Sequence, residues 1–341
     1  MQTFQEGLAD KFAVYFTGLR KQSFGCKSIQ RIFGGASRET YRIILEDDDG
    51  GEVNLILRMI QESSLIDTKQ EVEYEAYSLF QDTNVPVPEL IKMEQSSKYL
   101  GKPFIIMSEI EGQAASPFDK ESYKPYQEEI GAQFWTILAN ITNFDISKIN
   151  SDSHISMIQE GQNWKQQLDY WVKVIREDSI GVEPILEMAI RYLYKNNPKD
   201  SYQLVLVHGD FRSGNFLFKD NIITGILDWE MAHLGDPLED LAWALSSIWC
   251  WEEKNRPAYL LERNSALDIW EDATGLTIDQ DSLFWWELFS CVKGLAIWIS
   301  AGHEFQSGRN IDPINLFSAW MPGDIHSQAI LDLMEARVSY L

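Results

Sequence analysis

The chain has 341 residues, 45% of them hydrophobic and 24% charged, which is enough for a buried core and for two domains or lobes. These ordinary globular values exclude collagen-like, low-complexity and wholly disordered classes. With 29 basic and 52 acidic residues the net charge is −23, which disfavours nucleic acid and anionic membranes as partners; a cationic or neutral small substrate is compatible with it, and its plainest role is solubility.

The N-terminus lacks the basic and apolar runs of a signal peptide, and residues 3–22 read as an amphipathic helix carrying Phe4, Leu8, Phe12, Tyr15, Phe16 and Leu19. Ser28–Phe33, Thr40–Leu45 and Val53–Ile60 are strand-like. The first two flank Gly34, Gly35, Ala36 and Ser37. The acidic run 47–49 with two following glycines is a solvated hairpin turn rather than a metal site, because three consecutive acids on a tight turn cannot all face one ion. Residues 67–82 predict a helix starting near Asp67 or Thr68 and stopped by the prolines at 86 and 88. Strands follow near Glu89–Glu94 and Phe104–Ile110.

After Gly112 the pattern is mainly helical, at 119–142, 160–177, 182–196, 237–251, 256–273, 282–302 and 326–340. Short strands at Leu204–Val207, Phe216–Phe218 and Ile222–Leu227 interrupt it. Leu283–Ala301 approaches the length of a membrane span, but Glu287 and Lys293 within it favour a buried core helix. Cys26, Cys250 and Cys291 are far apart and form no CxxC pair, so neither a disulfide framework nor a structural zinc site is expected, and a reducing cytoplasm fits. Residues 1–108 hold 12 basic and 16 acidic groups, whereas 109–341 hold 17 and 36, so the helical part carries −19 of the −23.

The chemistry concentrates after the strand ending at Val207. That strand delivers His208, Gly209 and Asp210 to a tight loop; a second strand leaves after Asn215, and a third ends at Asp228. Polar residues at the ends of apolar strands converge on one edge of a small sheet. Asn215 supplies an amide oxygen and Asp228 a carboxylate, the hard donors that Mg²⁺ prefers. Asp210 remains to orient and deprotonate a hydroxyl. Base, metal ligands and a nucleotide-anchoring cation make up the parts of a phosphoryl-transfer site.

His208-Gly209-Asp210, with Asn215 five residues after the Asp, resembles the catalytic loop of the aminoglycoside phosphotransferase and choline kinase superfamily, relatives of the protein kinases. Ile226 to Glu230 is similar to the family's metal-binding segment, and His233 to Ala242 to the G-D-P-x-x-D-L-A stretch that follows it. The blocks look most like the branch related to the kinase-like domain of acyl-CoA dehydrogenase fusion proteins. The resemblance covers roughly residues 28–245 and implies an α+β, protein-kinase-like two-lobed fold. Residues 1–108 would form a β-rich nucleotide-binding lobe with one main helix, and 109–341 a mostly helical catalytic and substrate-binding lobe.

By the same resemblance, Gly34, Gly35 and Ser37 would cradle phosphates, and Arg58 on the third strand would pair with them where protein kinases have Lys. A helix glutamate should hold Arg58; Glu71, Glu73 and Glu75 compete, and Glu73 is favoured by its distance from the prolines. Met107 would bound the base pocket, and backbone groups of Ser108, Glu109 and Ile110 would bond the base. His208, Asp236 and Asp240 would brace the catalytic loop. The implied activity is an ATP-dependent (or GTP-dependent) transfer of phosphate to a hydroxyl of a small molecule, with Mg²⁺, in the cytoplasm. A non-catalytic nucleotide-binding module on the same fold is the alternative.

Other residues have structural readings beside functional ones. Arg212 pairs with phosphate or with Glu230. Trp243, Trp249 and Trp251 form a cage for a cation or part of the core. Glu230 binds a substrate amine or supports the loop. A two-metal phosphoesterase is rejected, since five histidines without the required spacing cannot surround two ions.

Overall fold

In the computed structural model, residues 2–32, 38–60, 68–116, 118–155, 161–179, 181–199 and 203–339 are described. Helix α1 (Gln2–Arg20) lays Leu8, Phe12 and Phe16 on a five-stranded antiparallel sheet of order β1 (Phe24–Ile32), β2 (Arg38–Asp47), β3 (Glu52–Ile60), β5 (Phe104–Ser108), β4 (Leu90–Glu94). The two-residue period of a strand explains the division of its faces. Leu55, Leu57 and Met59 of β3 and Phe104 and Ile106 of β5 pack under α1, each fully buried side chain being worth about 1.5–3 kcal/mol. The intervening positions point the other way. Arg58 stands directly opposite Ile105, and Ile56 opposite Met107, on the face turned to helix α2 (Gln70–Leu79). The β2–β3 turn is closed by Asp47, whose Oδ1 accepts from the amides of Asp49 at 3.0 Å and Gly51 at 2.7 Å.

The remaining residues build a larger core. Helix α8 (Gln280–Gln306) runs through it, packed along α9 (Pro313–Ser339) and against α4 (Asn163–Asp178), α5 (Pro184–Lys195) and α6 (Pro237–Leu245), while α3 (Gln127–Thr142) packs on α7 (Arg263–Thr274). The most apolar 18-residue window of α8 is 72% buried within the protein, as the charges inside that run suggested. Two small antiparallel pairs sit among the helices: β6 (Val205–Val207) with β9 (His233–Gly235), and the hairpin β7 (Phe216–Lys219) with β8 (Ile222–Ile226). The described residues thus comprise an antiparallel sheet with its helices, followed by a mostly helical part.

Several elements differ from expectation: the helix expected from 256 starts at Arg263, and the short strand His233–Gly235 was not foreseen. The helix expected from 119 starts at Gln127, because Asp119 turns its own chain by accepting from the Glu121 amide and the Ser122 hydroxyl, and Pro125 lacks an amide proton. The helix expected to reach 251 ends at Leu245, where the Trp249 indole donates to the Trp243 carbonyl at 2.9 Å and tightens the chain into a short 3-10 turn. Helix α9 begins at Pro313 and continues past Pro322, which as a local signal reads as a stop.

Candidate active site

The loop after β6 is held from beneath by Asp240 on α6. Its two carboxylate oxygens accept from the amides of His208 at 2.6 Å and Gly209 at 2.9 Å, and burial pushes its carboxyl up to about 6. Gly209 has φ +86°, and a Cβ there would stand 2.5 Å from the Met231 carbonyl oxygen, so only glycine lets the two segments touch. The Gly209 carbonyl accepts from Lys293 Nζ of α8 at 2.5 Å. That ammonium is buried, 3.9 Å from Glu239 and over the Trp243 ring at 4.7 Å. Asp236 is placed differently from Asp240: its described hydrogen bond caps α6 at the Leu238 amide, 2.8 Å.

His208 is buried and bridges two strand ends. Its Nδ1 accepts from the Asp210 amide at 3.1 Å, which leaves Nε2 to donate to the Leu227 carbonyl at 2.9 Å. Burial pushes the imidazole down to about 4, so it is neutral and acts as a brace.

Three donors converge on the Asp210 carboxylate: Asn215 Nδ2 at 2.6 Å on Oδ2, and the Trp243 indole at 2.8 Å and Arg212 Nε at 2.9 Å on Oδ1. Asn215 Nδ2 also donates to the Asp210 carbonyl at 2.9 Å. Both bonds use the amide nitrogen, so the amide oxygen is not spent on the loop. The Leu227 amide donates to the Asn215 carbonyl at 2.8 Å, which sets Asp228 beside it. Asp228 has φ 68° and ψ 52°, a left-handed conformation that a non-glycine residue adopts at a cost, and its amide donates to the Tyr77 hydroxyl at 3.0 Å.

Arg58 links the sheet to this loop. Its Nε lies 2.8 Å from Glu73 on α2 and its Nη2 2.7 Å from Asp228. The three candidate glutamates separate cleanly: Glu73 is fully buried against Arg58, Glu71 accepts from Gln95, and Glu75 from the His154 amide. Burial opposes ionisation of Asp228, but Arg58 holds its carboxyl below the usual carboxylate range. Glu230 lies 3.6 Å from Arg38 and accepts from the Thr68 hydroxyl at 3.2 Å; burial, with repulsion from Asp228 and Glu73, pushes it up to about 7. Arg38 also lies 3.4 Å from Glu73. Two guanidinium groups therefore share this cluster with three carboxyl groups, of which Glu230 is pushed towards its neutral form, so the cluster is close to balanced in charge.

The remaining candidates from the sequence fall as follows. Gly34, Gly35 and Ser37 lie outside the described residues. The Ser108 amide donates to the Glu89 carbonyl at 2.9 Å and the Glu109 amide to the Asn54 carbonyl at 3.1 Å, so two of the three hinge amides already belong to the sheet. Arg212 pairs with Asp210, not with Glu230. The Trp243 and Trp249 rings face the protein's own cations, Lys293 and Arg212. Sequence reasoning gave no role here to Arg38, Tyr77 or Lys293, and it read Trp243 as part of a cation cage or of the core. Two signals were present: Trp243 follows Asp240 by three residues on one helix face, and Lys293 is a charge inside an apolar run, which needs a buried partner.

The phosphotransferase enzyme family matches the chain over residues 28–276. Acyl-CoA dehydrogenase family member 10 of Mus musculus is 27% identical over 241 residues, covering 69% of this chain and 22% of its own length. Family member 11 of Rattus norvegicus is 24% identical over 231 residues, covering 65% and 29%. The chain thus spans less than a third of the length of these curated relatives. Among solved structures, a Ralstonia eutropha protein provisionally named an aminoglycoside phosphotransferase superposes with a TM-score of 0.73 at 17% identity, over 96% of this chain and 98% of that one. A thermostable mutant of aminoglycoside phosphotransferase APH(4)-Ia, in ternary complex with ADP and hygromycin B, gives 0.62 at 15% identity, over 95% and 97%. At these identities the likeness concerns the fold, and the expected two-lobed, protein-kinase-like architecture is borne out.

Proposed function

The chain belongs to the phosphotransferase enzyme family, and from that premise we propose that it transfers the γ-phosphate of ATP to a hydroxyl of a small molecule. The observation that carries the reading is the set of contacts that joins Glu73 to Arg58 and Asp228, and Leu227, the residue before Asp228, to Asn215 and through it to Asp210. Residues 1–108 serve as the nucleotide-binding lobe and 109–341 as the catalytic and acceptor lobe. Nucleotide complexes of structural neighbours, with ADP in one and GDP in another, support a purine nucleotide as donor.

Asn215 Oδ1 and the Asp228 carboxylate would hold Mg²⁺, which would neutralise phosphate charge. Arg58, fixed by Glu73, forks onto the phosphate oxygens. The base lies at the β5 edge beside Met107, where the Ser108 carbonyl and the Ile110 amide serve it. Asp210, fixed by Asn215 and Trp243, orients the acceptor hydroxyl and takes its proton. The acceptor oxygen bonds to the γ-phosphorus as the bond from that phosphorus to the bridging oxygen breaks, and ADP leaves.

ADP formation from Mg-ATP across a panel of hydroxyl compounds tests the reading. Asp228→Ala is expected to lower turnover ~10²–10³-fold and to raise the Mg²⁺ concentration needed for half-maximal rate. Calorimetric binding of Mg-ATP with no turnover on any acceptor would instead identify a non-catalytic nucleotide-binding module.

A further inference from the structure

A cavity of about 190 Å³ opens in the helical half, walled by Trp249, Trp251, Trp298, Ile314, Phe317 and Ile325. Arg212 also lines it and reaches back to the loop, its Nε donating to Asp210 Oδ1 at 2.9 Å and its guanidinium lying 4.6 Å from the Trp249 ring centroid. The cavity therefore ends one side chain away from Asp210.

No carboxylate is among its described lining residues, although this half of the chain carries −19. Arg212 lies over the Trp249 ring and Lys293 over the Trp243 ring, so each of these rings already carries a cation of the protein's own. Arg212 is itself matched by Asp210, and its Nη1 donates to the Ser213 carbonyl at 2.9 Å. The apolar lining continues outward along the start of α9, where Ile314 is 57% and Trp320 68% exposed. The volume lies below the ~300–1,000 Å³ of a drug-sized pocket, which suits a single ring or short chain.

We infer that the acceptor carries its hydroxyl on an uncharged, apolar body, aromatic or aliphatic, seated in this cavity with the hydroxyl turned to Asp210. The inference rests on the phosphotransferase reading and narrows its acceptor. A polycationic or quaternary-amine acceptor would bring its charge beside Arg212, in a wall with no carboxylate among its described residues, an unfavourable burial.

The test uses the full chain with Mg-ATP and equal concentrations of propanol, butanol, pentanol and benzyl alcohol, against choline and kanamycin, with ADP release as readout. Tryptophan fluorescence follows alcohol binding in parallel, and calorimetry follows Mg-ADP. The expected result is a rise in kcat/KM of about fourfold per added methylene along the alcohol series. Choline and kanamycin should fall at least ~10-fold below pentanol. Ile314→Glu and Phe317→Ser, both at partly exposed positions, should each lower kcat/KM for benzyl alcohol by ~10-fold or more without changing Mg-ADP affinity.

Two results overturn the inference while leaving the phosphotransferase reading intact, given normal Mg-ADP binding. One is more efficient phosphorylation of choline or kanamycin than of the alcohols. The other is apolar alcohols that neither release ADP nor change tryptophan fluorescence. Absence of Mg-ADP binding would instead defeat the phosphotransferase reading, and the fluorescence titration alone would then decide whether the cavity takes apolar alcohols.

Discussion

Asp210→Asn is expected to lower kcat by ~10³-fold while Mg-ATP affinity stays within about twofold of the parent. The substitution removes the proton acceptor, and it also breaks the geometry that aims it. Oδ2 accepts from Asn215, and Oδ1 accepts from both Trp243 and Arg212. An asparagine has one acceptor oxygen, so whichever way its amide is turned, its NH₂ meets at least one of these donors. Nucleotide affinity should persist because Arg58, Glu73 and Asp228 make no contact with the Asp210 side chain in the described hydrogen bonds. Single-turnover kinetics with calorimetric Mg-ATP binding separates the two quantities. Unchanged kcat would remove Asp210 from the chemistry.

Lys293→Met is expected to cost about 3 kcal/mol of folding stability and to reduce turnover through the loop. Methionine fills a similar space, so the loss comes from charge and hydrogen bonding rather than from a cavity. The Gly209 carbonyl loses its buried donor, and Glu239 loses one of two basic neighbours. The other is His233 at 3.1 Å, whose imidazole is made more basic by Glu239 despite its burial. Equilibrium urea unfolding measures the first effect. Mg-ADP affinity separates a displaced loop from a generally unfolded chain: it should persist in the folded fraction while kcat falls. A variant as stable and as active as the parent would show that Lys293 is a bystander.

The acidity of the helical half is now partly located. Asp228, Glu230, Glu239 and Asp240 are committed to arginine, lysine, histidine or backbone partners around the candidate site. The cavity that adjoins Asp210 is apolar instead. Net charge gave weak support to a cationic acceptor, whereas the proposed acceptor cavity has no carboxylate among its described lining residues, because a long-range sum says little about which side chains face one cleft.

Much of this protein was legible in local sequence. The run Val53–Ile60 read as a strand that contains Arg58, and the spacing of Asp210, Asn215 and Asp228 around short apolar runs put three polar groups at neighbouring strand ends. These features depend on residues close in the chain, whose geometry follows from repeat and turn chemistry. Other features were illegible for a physical reason. Glu73 was favoured over Glu71 and Glu75 from the sequence, but its burial between Arg58 and Arg38 depended on how α2 docks on the sheet. Lys293 reaches Gly209 across 84 residues, and Trp243 reaches Asp210 across 33. The start of α9 at Pro313, which supplies Ile314 and Phe317 to the cavity, ran against the local signal of Pro322. Local propensity could nominate the catalytic groups, whereas their partners and the shape and polarity of the adjoining cavity were set by packing between helices distant in sequence, because burial and pairing energies arise only once those helices meet.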